Sequence, residues 1–137
     1  MITITPYLSF LDQGQEALKF YEQAIEAKVI SVRTFGELPG QEIPDEAKNR
    51  ILHAHLKVGE TDLMISDSFP NQPAPQSGDQ ITLALVINGA EKAEEVFNRL
   101  QDGGEVVLPL QETFFSPAYG QVKDKFGVLW QISAQPQ

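Results

Sequence analysis

The stretch ALKFYEQAI, Ala17 to Ile25, has a counterpart later in the chain, AEEVFNRLQ, residues 93–101. The apolar residues of the first stretch fall at i, i+3, i+4, i+7 and i+8, which predicts one apolar stripe along a helix from about Gln15 to Ala27. Sliding the chain by 76 residues places Tyr21 on Phe97. The two helices are therefore predicted to occupy equivalent places in a repeated unit.

Strand patterns flank both helices in the same order. Short β-rich runs occupy residues 3–10, 28–35, 51–58 and 62–69 in the first half, and residues 81–87, 105–115, 119–127 and 128–134 in the second. Gly59-Glu60 is typical of a tight hairpin, and Asn88 with Glu91 fits a capping box at the start of the second helix. The order predicts an α+β fold, with tandem βαβββ modules forming a curved mixed sheet around a cleft.

Two segments between these elements are rich in proline, glycine and polar residues. Residues 70–80, PNQPAPQSGDQ, are the most linker-like stretch and divide the chain near its middle. We therefore expect a single domain built from two modules, residues 3–69 and 80–134. Residues 36–50 are predicted to form a long loop, and loops of that length in compact domains are often functional lids.

The composition excludes several classes of function. The formal charge of −9, from 10 basic and 19 acidic residues, disfavours nucleic acids and anionic membranes as partners. The absence of cysteine excludes disulfides, thiolate metal sites and cysteine nucleophiles. The N-terminus lacks the pattern of a signal peptide, and no apolar run is long enough for a membrane helix, so we expect a cytoplasmic protein.

Several local strings, together with the order of elements, resemble one known family. They are PYLSF (6–10), FGELP (35–39), HAHLKVG (53–59), LMISDSFP (63–70) and ETFF with YGQVKDKFGVLWQI (112–132). They resemble the PhnB-like branch of the vicinal oxygen chelate superfamily, which includes glyoxalase I, fosfomycin-resistance enzymes, extradiol dioxygenases and bleomycin-binding proteins. The branch has sometimes carried a demethylubiquinone methyltransferase label. A glycine-rich turn opening a doubly wound sheet, which such a cofactor normally needs, is missing from the sequence.

The resemblance implies a divalent metal held by a His/Glu set spread over both modules. The last ligand of that set corresponds to Gln131, whose neutral amide is a weaker ligand than a carboxylate. No histidine stands near Thr82, and the first strand offers Thr5, Tyr7 or Ser9 instead of histidine. Most of the usual ligand positions are therefore unsuited to a metal, and the identity of any cofactor stays open.

His53 and His55 are the only histidines, two apart on a predicted strand, so both side chains should share one face of the sheet while Leu52, Ala54 and Leu56 share the other. Two imidazoles on one face can supply metal ligands or a general base, or they can be a structural and a surface residue. The resemblance favours His53 as the catalytic residue and leaves His55 as a ligand-binding residue.

Glu112 and the aromatic residues that follow it are the remaining candidates. Among aromatics, the Glu112 carboxylate is expected to be desolvated and able to act as an acid or base; alternatively it fixes the bend at Pro117 or is an exposed charge. The aromatic residues are either core residues or a pocket wall. The candidate ligand-binding residues are Tyr7, His55, Phe114, Tyr119, Trp130 and Gln131.

Two functions fit these residues, and a third alternative is a dimeric housekeeping protein whose cleft is empty or filled by its own side chains. The first is an enzyme of the lyase, isomerase or dioxygenase type acting on a small oxygenated molecule in the cleft. The second is a non-catalytic protein that binds or sequesters a small, cationic molecule through aromatic stacking. The resemblance implies a homodimer in either case.

Overall fold

The computed structural model describes residues 1–76, 78 and 80–136, in two compact units, Met1–Gln76 and Ser77–Gln137. Unit 1 contains β1 (Tyr7–Phe10), α1 (Gly14–Ala24), β2 (Lys28–Thr34), β3 (Ile51–Val58) and β4 (Thr61–Asp67). Unit 2 contains β5 (Leu83–Asn88), α2 (Ala90–Gln101), β6 (Glu105–Gln111), β7 (Tyr119–Lys123) and β8 (Leu129–Gln135). The predicted linker, residues 70–80, includes Ser77 and Asp79, which lie outside the described residues.

The two units have the same sheet topology. Sheet 1 has the order β1-β4-β3-β2 and sheet 2 the order β5-β8-β7-β6. In each sheet the first strand pairs in parallel with the last, and the other pairs are antiparallel. The predicted α+β class and the tandem βαβββ repeat are therefore confirmed. Among the described residues, no helix is both long enough and apolar enough to cross a bilayer.

Each helix covers one face of its own sheet. The helix residues that do so are buried: Gly14, Ala17, Leu18, Tyr21 and Ala24 in α1, and Ala93, Val96, Phe97 and Leu100 in α2. The predicted stripes are confirmed except at Phe20, which is only half-buried, whereas Leu18, outside the predicted stripe, is buried. Buried strand residues alternate with more exposed ones that lie on the other side of the sheet, which we call its open face.

Some predicted boundaries were wrong. Strand β1 begins at Tyr7, and β6 ends at Gln111, so residues 112–115 lie outside the strand. The capping box at Asn88 does not form, because Asn88 is still paired with Gln135 as the last rung of β5 and the chain turns at Gly89 with a positive φ of 92°. Glycine adopts that conformation at little cost.

The loop between β2 and β3 is fastened at several points. It contains two short 3₁₀ turns, Phe35–Glu37 and Asp45–Ala47, and both Phe35 and Ala47 are buried. The backbone N–H groups of Phe35 and Gly36 donate to the carbonyls of Arg50 and Lys48, which ties the two ends of the loop together.

Candidate functional site

Strand β3 places both histidines on the open face of sheet 1. Ala54 and Leu56 are buried under α1, whereas His53 and His55 are half-buried on the opposite side, as the alternation predicts. Leu52 departs from the prediction: it is half-buried, and Ile51 is buried in its place. The pairing of β2 with β3 shifts between Arg33 and Thr34, which adds one residue to β3 at Leu52 and reverses the alternation there.

His53 lies beside Tyr7. Their ring centroids are 6.0 Å apart with planes inclined by 50°. Tyr7 belongs to edge strand β1, and its phenol ring is about half exposed. The strand order β1-β4-β3 brings these two candidate residues together, although 46 positions separate them in the sequence.

His55 has a carboxylate partner that was not predicted. Its Nε2 lies 2.7 Å from Asp62 Oδ1, and Lys57 Nζ lies 3.0 Å from the same oxygen. The hydrogen bond from His55, followed by that from Lys57, holds the pKa of Asp62 below its usual range. A signal for Asp62 was present in the sequence: a tight turn at Gly59-Glu60 pairs residue 57 with residue 62.

On the open face of sheet 2, four polar side chains form a hydrogen-bonded chain. The Tyr119 hydroxyl donates to Gln131 Oε1 at 2.8 Å and accepts from Gln121 Nε2 at 3.1 Å. Gln131 Nε2 in turn donates to Thr82 Oγ1 at 2.9 Å. We call these four residues the amide–phenol network. Tyr119 and Gln131, both predicted site residues, are therefore in direct contact.

Three aromatic rings continue from this network into the loop after β6. The Phe115 ring meets that of Tyr119 edge-on at 5.1 Å, and Phe114 meets Phe115 edge-on at 5.2 Å. Phe114 is fully exposed (101%) and Phe115 is 57% exposed. We call these three residues the aromatic ladder. The ladder is a contiguous apolar surface in contact with water, and surfaces of this kind can mark interaction sites.

Glu112 and Trp130 lie in surroundings other than those expected. Glu112 is exposed, so the predicted desolvation of its carboxylate was wrong; the strand that would have buried it ends one residue earlier. Trp130 is buried under α2, and its indole N–H donates to Asp124 Oδ2 at 2.9 Å. Trp130 therefore lies in the core of unit 2, on the face opposite the amide–phenol network.

The residues at the expected metal-ligand positions do not fit a divalent cation. The Gln131 amide uses its oxygen to accept from Tyr119 and its nitrogen to donate to Thr82. Among residues 1–76, 78 and 80–136, no group of three or more His, Cys, Asp or Glu side chains could hold a metal ion. Neutral amide and hydroxyl groups are weak ligands for the borderline metals that histidine and carboxylate sites bind.

The loop between β2 and β3 encloses an open depression of about 630 Å³. Its lining residues are Gly36, Gln41, Glu42, Ile43, Pro44, Asp45 and Lys48. Lys48 and Asp45 form a 2.8 Å ion pair, so these two charged residues of the lining are paired with each other. This depression holds none of the predicted site residues.

The chain is similar to several known proteins over nearly its whole length. Residues 2–133 match the family described as 3-demethylubiquinone-9 3-methyltransferase. Protein YjdN of Escherichia coli (strain K12) is 33% identical over 146 residues, covering 98% of this chain and 96% of YjdN. The crystal structure of PA1353 from Pseudomonas aeruginosa is 34% identical with a TM-score of 0.88, covering all of both chains. A putative 3-demethylubiquinone-9 3-methyltransferase, the PhnB protein of Bacillus cereus, is 26% identical with a TM-score of 0.80, covering 98% of this chain and all of that one.

A more distant likeness concerns the fold alone. FosX, a fosfomycin resistance protein of Listeria monocytogenes, is 14% identical with a TM-score of 0.68, and the alignment covers 98% of this chain and 94% of FosX. That structure is a complex with Mn(II) and 1S,2S-dihydroxypropylphosphonic acid. This chain belongs to the family described as 3-demethylubiquinone-9 3-methyltransferase, a PhnB-like family, as the sequence resemblance implies.

Proposed function

We propose that this protein binds a small planar organic cation on the open face of sheet 2. The observation that carries the proposal is the aromatic ladder, in which Phe114 and Phe115 expose most of their ring surface next to Tyr119. Exposed rings in edge-to-face contact offer both faces and edges to a flat ligand, and each aromatic contact contributes about 0.5–1.5 kcal/mol.

Charge and hydrogen bonding favour a cation over an anion. The chain carries a formal charge of −9, and the exposed carboxylate of Glu112 lies two residues from Phe114. A cation over an aromatic ring is attracted by the ring electrons, which strengthens binding beyond burial of apolar area. The amide–phenol network next to Phe115 adds neutral donors and acceptors that can recognise oxygen or nitrogen atoms of the ligand.

A fluorescence titration with ethidium, a planar cation, tests this proposal. We expect Phe115→Ala to weaken ethidium binding about tenfold, equivalent to about 1.4 kcal/mol of lost stacking. Phe69→Ala is the matched control, because Phe69 is also exposed but lies in unit 1 against Phe35, so it should leave the affinity unchanged. An anionic dye of similar size, 8-anilinonaphthalene-1-sulfonate, should bind more weakly than ethidium. Equal affinity of wild type and Phe115→Ala for ethidium would contradict the proposal.

An enzyme acting on a small oxygenated molecule is the second candidate. The 2.7 Å contact between His55 and Asp62 favours it, because a carboxylate-bound imidazole on an open sheet face is a group that can move a proton. No step in this candidate passes through a metal ion.

The methyltransferase activity in the family's description has little support in the architecture of the chain. Among the described residues, each sheet has four strands and one parallel pair, whereas the cofactor of such enzymes normally lies at the end of a doubly wound parallel sheet. We propose that this chain transfers no methyl group, and that it works as a cytoplasmic homodimer.

A further inference from the structure

We infer that Asn88 is a site of spontaneous deamidation, and that one backbone hydrogen bond to the end of β8 keeps the reaction slow in the folded chain. The reaction needs only water as a co-reactant, and it converts the side-chain amide to a carboxylate. It involves the junction of β5 with α2 and no residue of the aromatic ladder, so it does not depend on the proposed binding of a cation.

Asn88 is the only asparagine of the chain that a glycine follows. The other three asparagines precede arginine or glutamine and are Asn49, Asn71 and Asn98. A side chain on the following residue hinders the approach of its backbone nitrogen to the asparagine amide, whereas glycine has no Cβ and allows it. The covalent structure of the chain therefore favours the reaction at Asn88.

Asn88 lies at an exposed junction between a strand and a helix. It is the last residue of β5, which is an edge strand of sheet 2, and it is exposed. Gly89 follows with a φ of 92°, and its carbonyl accepts from the Ala93 N–H group at 3.2 Å at the start of α2. Water and hydroxide can therefore reach the Asn88 amide.

The nucleophile of the reaction, the Gly89 backbone nitrogen, is engaged in a hydrogen bond. Its N–H group donates to the Gln135 carbonyl at 2.8 Å, directly after the last paired residues of β5 and β8. Attack on the side chain requires loss of that proton, so the hydrogen bond must open first. Gln135 is exposed and ends β8, and strand ends open locally at a low cost in free energy. Local opening of this strand end therefore sets the rate.

The covalent step is balanced without an oxidant or a reductant. In the opened strand end, hydroxide removes the Gly89 N–H proton, and the nitrogen lone pair forms a bond to Asn88 Cγ. The bond from Cγ to Nδ2 breaks, and the nitrogen leaves as ammonia after it takes a proton from water. Water then adds to either carbonyl of the cyclic succinimide and opens the ring to aspartate or to isoaspartate.

Each product changes the junction of β5 with α2 in its own way. Aspartate adds a negative charge next to the start of α2, where the free N–H groups of a helix stabilise an anion. Isoaspartate adds one carbon to the backbone between Asn88 and Gly89, so the pairing with Gln135 and the first turn of α2 cannot both keep their positions. Isoaspartate therefore loosens the start of α2.

Peptide mapping by tandem mass spectrometry, after incubation in mildly alkaline buffer, tests the site. We expect Asn88 to deamidate first in the folded wild type, whereas Asn71, which is also exposed, stays intact. The folded chain should react about tenfold more slowly than a synthetic peptide of residues 84–93, because one hydrogen bond must open. Asn88→Gln should remove the reaction, because the longer side chain closes a larger ring far more slowly.

Gln135→Pro tests the hydrogen bond. The Ala134 N–H group donates to the Ala118 carbonyl, so the backbone groups of Gln135 are directed at β5. Proline cannot donate to that ladder, so the strand end opens more often. Deamidation of Asn88 and hydrogen exchange of the Gly89 amide should both rise about tenfold. Gln135→Ala changes only the side chain and is the matched control, with rates within about threefold of the wild type.

The rates of the folded proteins decide the inference. It would be overturned if the wild type deamidated as fast as the peptide, or if another asparagine reacted first. An unchanged rate at Asn88 in folded Gln135→Pro would overturn it as well. If Gln135→Pro does not fold, the comparison of the wild type with the peptide decides.

Discussion

At the scale of single residues, Asp67 links three elements of unit 1. Its carboxylate oxygens accept from the backbone N–H groups of Gly14, at 2.8 Å, and Ile51, at 2.7 Å, so it holds the start of α1 against β3. The two partners of this carboxylate lie 53 and 16 positions away in the sequence, so they follow only from the fold.

The first residue-scale prediction concerns Gly14. A Cβ atom there would lie 2.6 Å from Ile51 Cγ1 and 2.8 Å from Asp67 Oδ2, so Gly14→Ala overpacks the junction. We expect a loss of about 1–3 kcal/mol in the free energy of unfolding, measured by urea denaturation. Gly78→Ala, with no atom within 4 Å of its added Cβ, is the control and should change stability by less than about 0.5 kcal/mol. Equal stabilities of the two variants would show that the junction tolerates a methyl group.

The second residue-scale prediction concerns the contribution of Asp67 to the pH dependence of stability. Burial raises the pKa of Asp67 above its ordinary value of 3.8, against the effect of its two backbone donors. The folded state therefore holds this proton more tightly than the unfolded state, so the contribution to stability is full below about pH 3.8 and is lost as the pH rises through the raised pKa. The stability of the wild type relative to Asp67→Asn, measured by urea denaturation, should fall as the pH rises from about 3.8 through the raised pKa. A difference that grows with pH would contradict this assignment.

At the scale of secondary structure, alternation along a strand predicts side-chain orientation only while the strand lasts. The two imidazoles were placed correctly because β3 continues through both, whereas Glu112 was misplaced because β6 ends at Gln111. Nothing in the apolar run before Glu112 marks that end. It is fixed by the loop, where Thr113 N–H donates to the Ser116 carbonyl and the Ser116 hydroxyl is buried.

The β7–β8 turn gives a test at this scale. Asp124 is buried, and its carboxylate accepts from the N–H groups of Phe126 and Val128 and from the Trp130 indole. Asp124→Ala should reduce the free energy of unfolding by about 2–4 kcal/mol, because it leaves the buried indole N–H and two half-buried backbone N–H groups without an acceptor. Trp130 fluorescence during urea denaturation reports both the loss and the changed environment of the indole. Asp45→Ala, which removes an almost fully exposed carboxylate, is the control. If Asp45→Ala lost as much free energy of unfolding as Asp124→Ala, the burial of Asp124 would be unimportant.

At the scale of the whole molecule, the repeat made the fold predictable but did not identify the functional site. The centres of the sheets are equivalent, since Ala54 pairs with Ile65 in unit 1 as Gly120 pairs with Ile132 in unit 2. His55 and Gln121 therefore occupy the same position on the two open faces. The buried positions must stay apolar for the units to fold, so the sequence pattern identifies them. The residues on the open faces are free to differ, so the pattern cannot assign their function.

The oligomeric state gives a prediction at this scale. Strand β6 is an edge strand, and Val106 and Val107 are exposed on it, a surface that favours association. Sedimentation equilibrium should give a mass about twice the 15.2 kDa of one chain. Val107→Asp should shift the equilibrium toward the monomer, because a charge cannot be buried there without a partner. A wild-type mass of 15.2 kDa at millimolar concentration would refute the dimer.

Chemical-shift mapping with ethidium tests most directly whether the open face of sheet 2 binds planar cations. In ¹⁵N-labelled protein, we predict that the backbone amides of residues 112–116 and 119 and the side-chain amides of Gln121 and Gln131 shift with a single saturating curve. Shifts confined to unit 1, or scattered over both units without saturation, would contradict the claim.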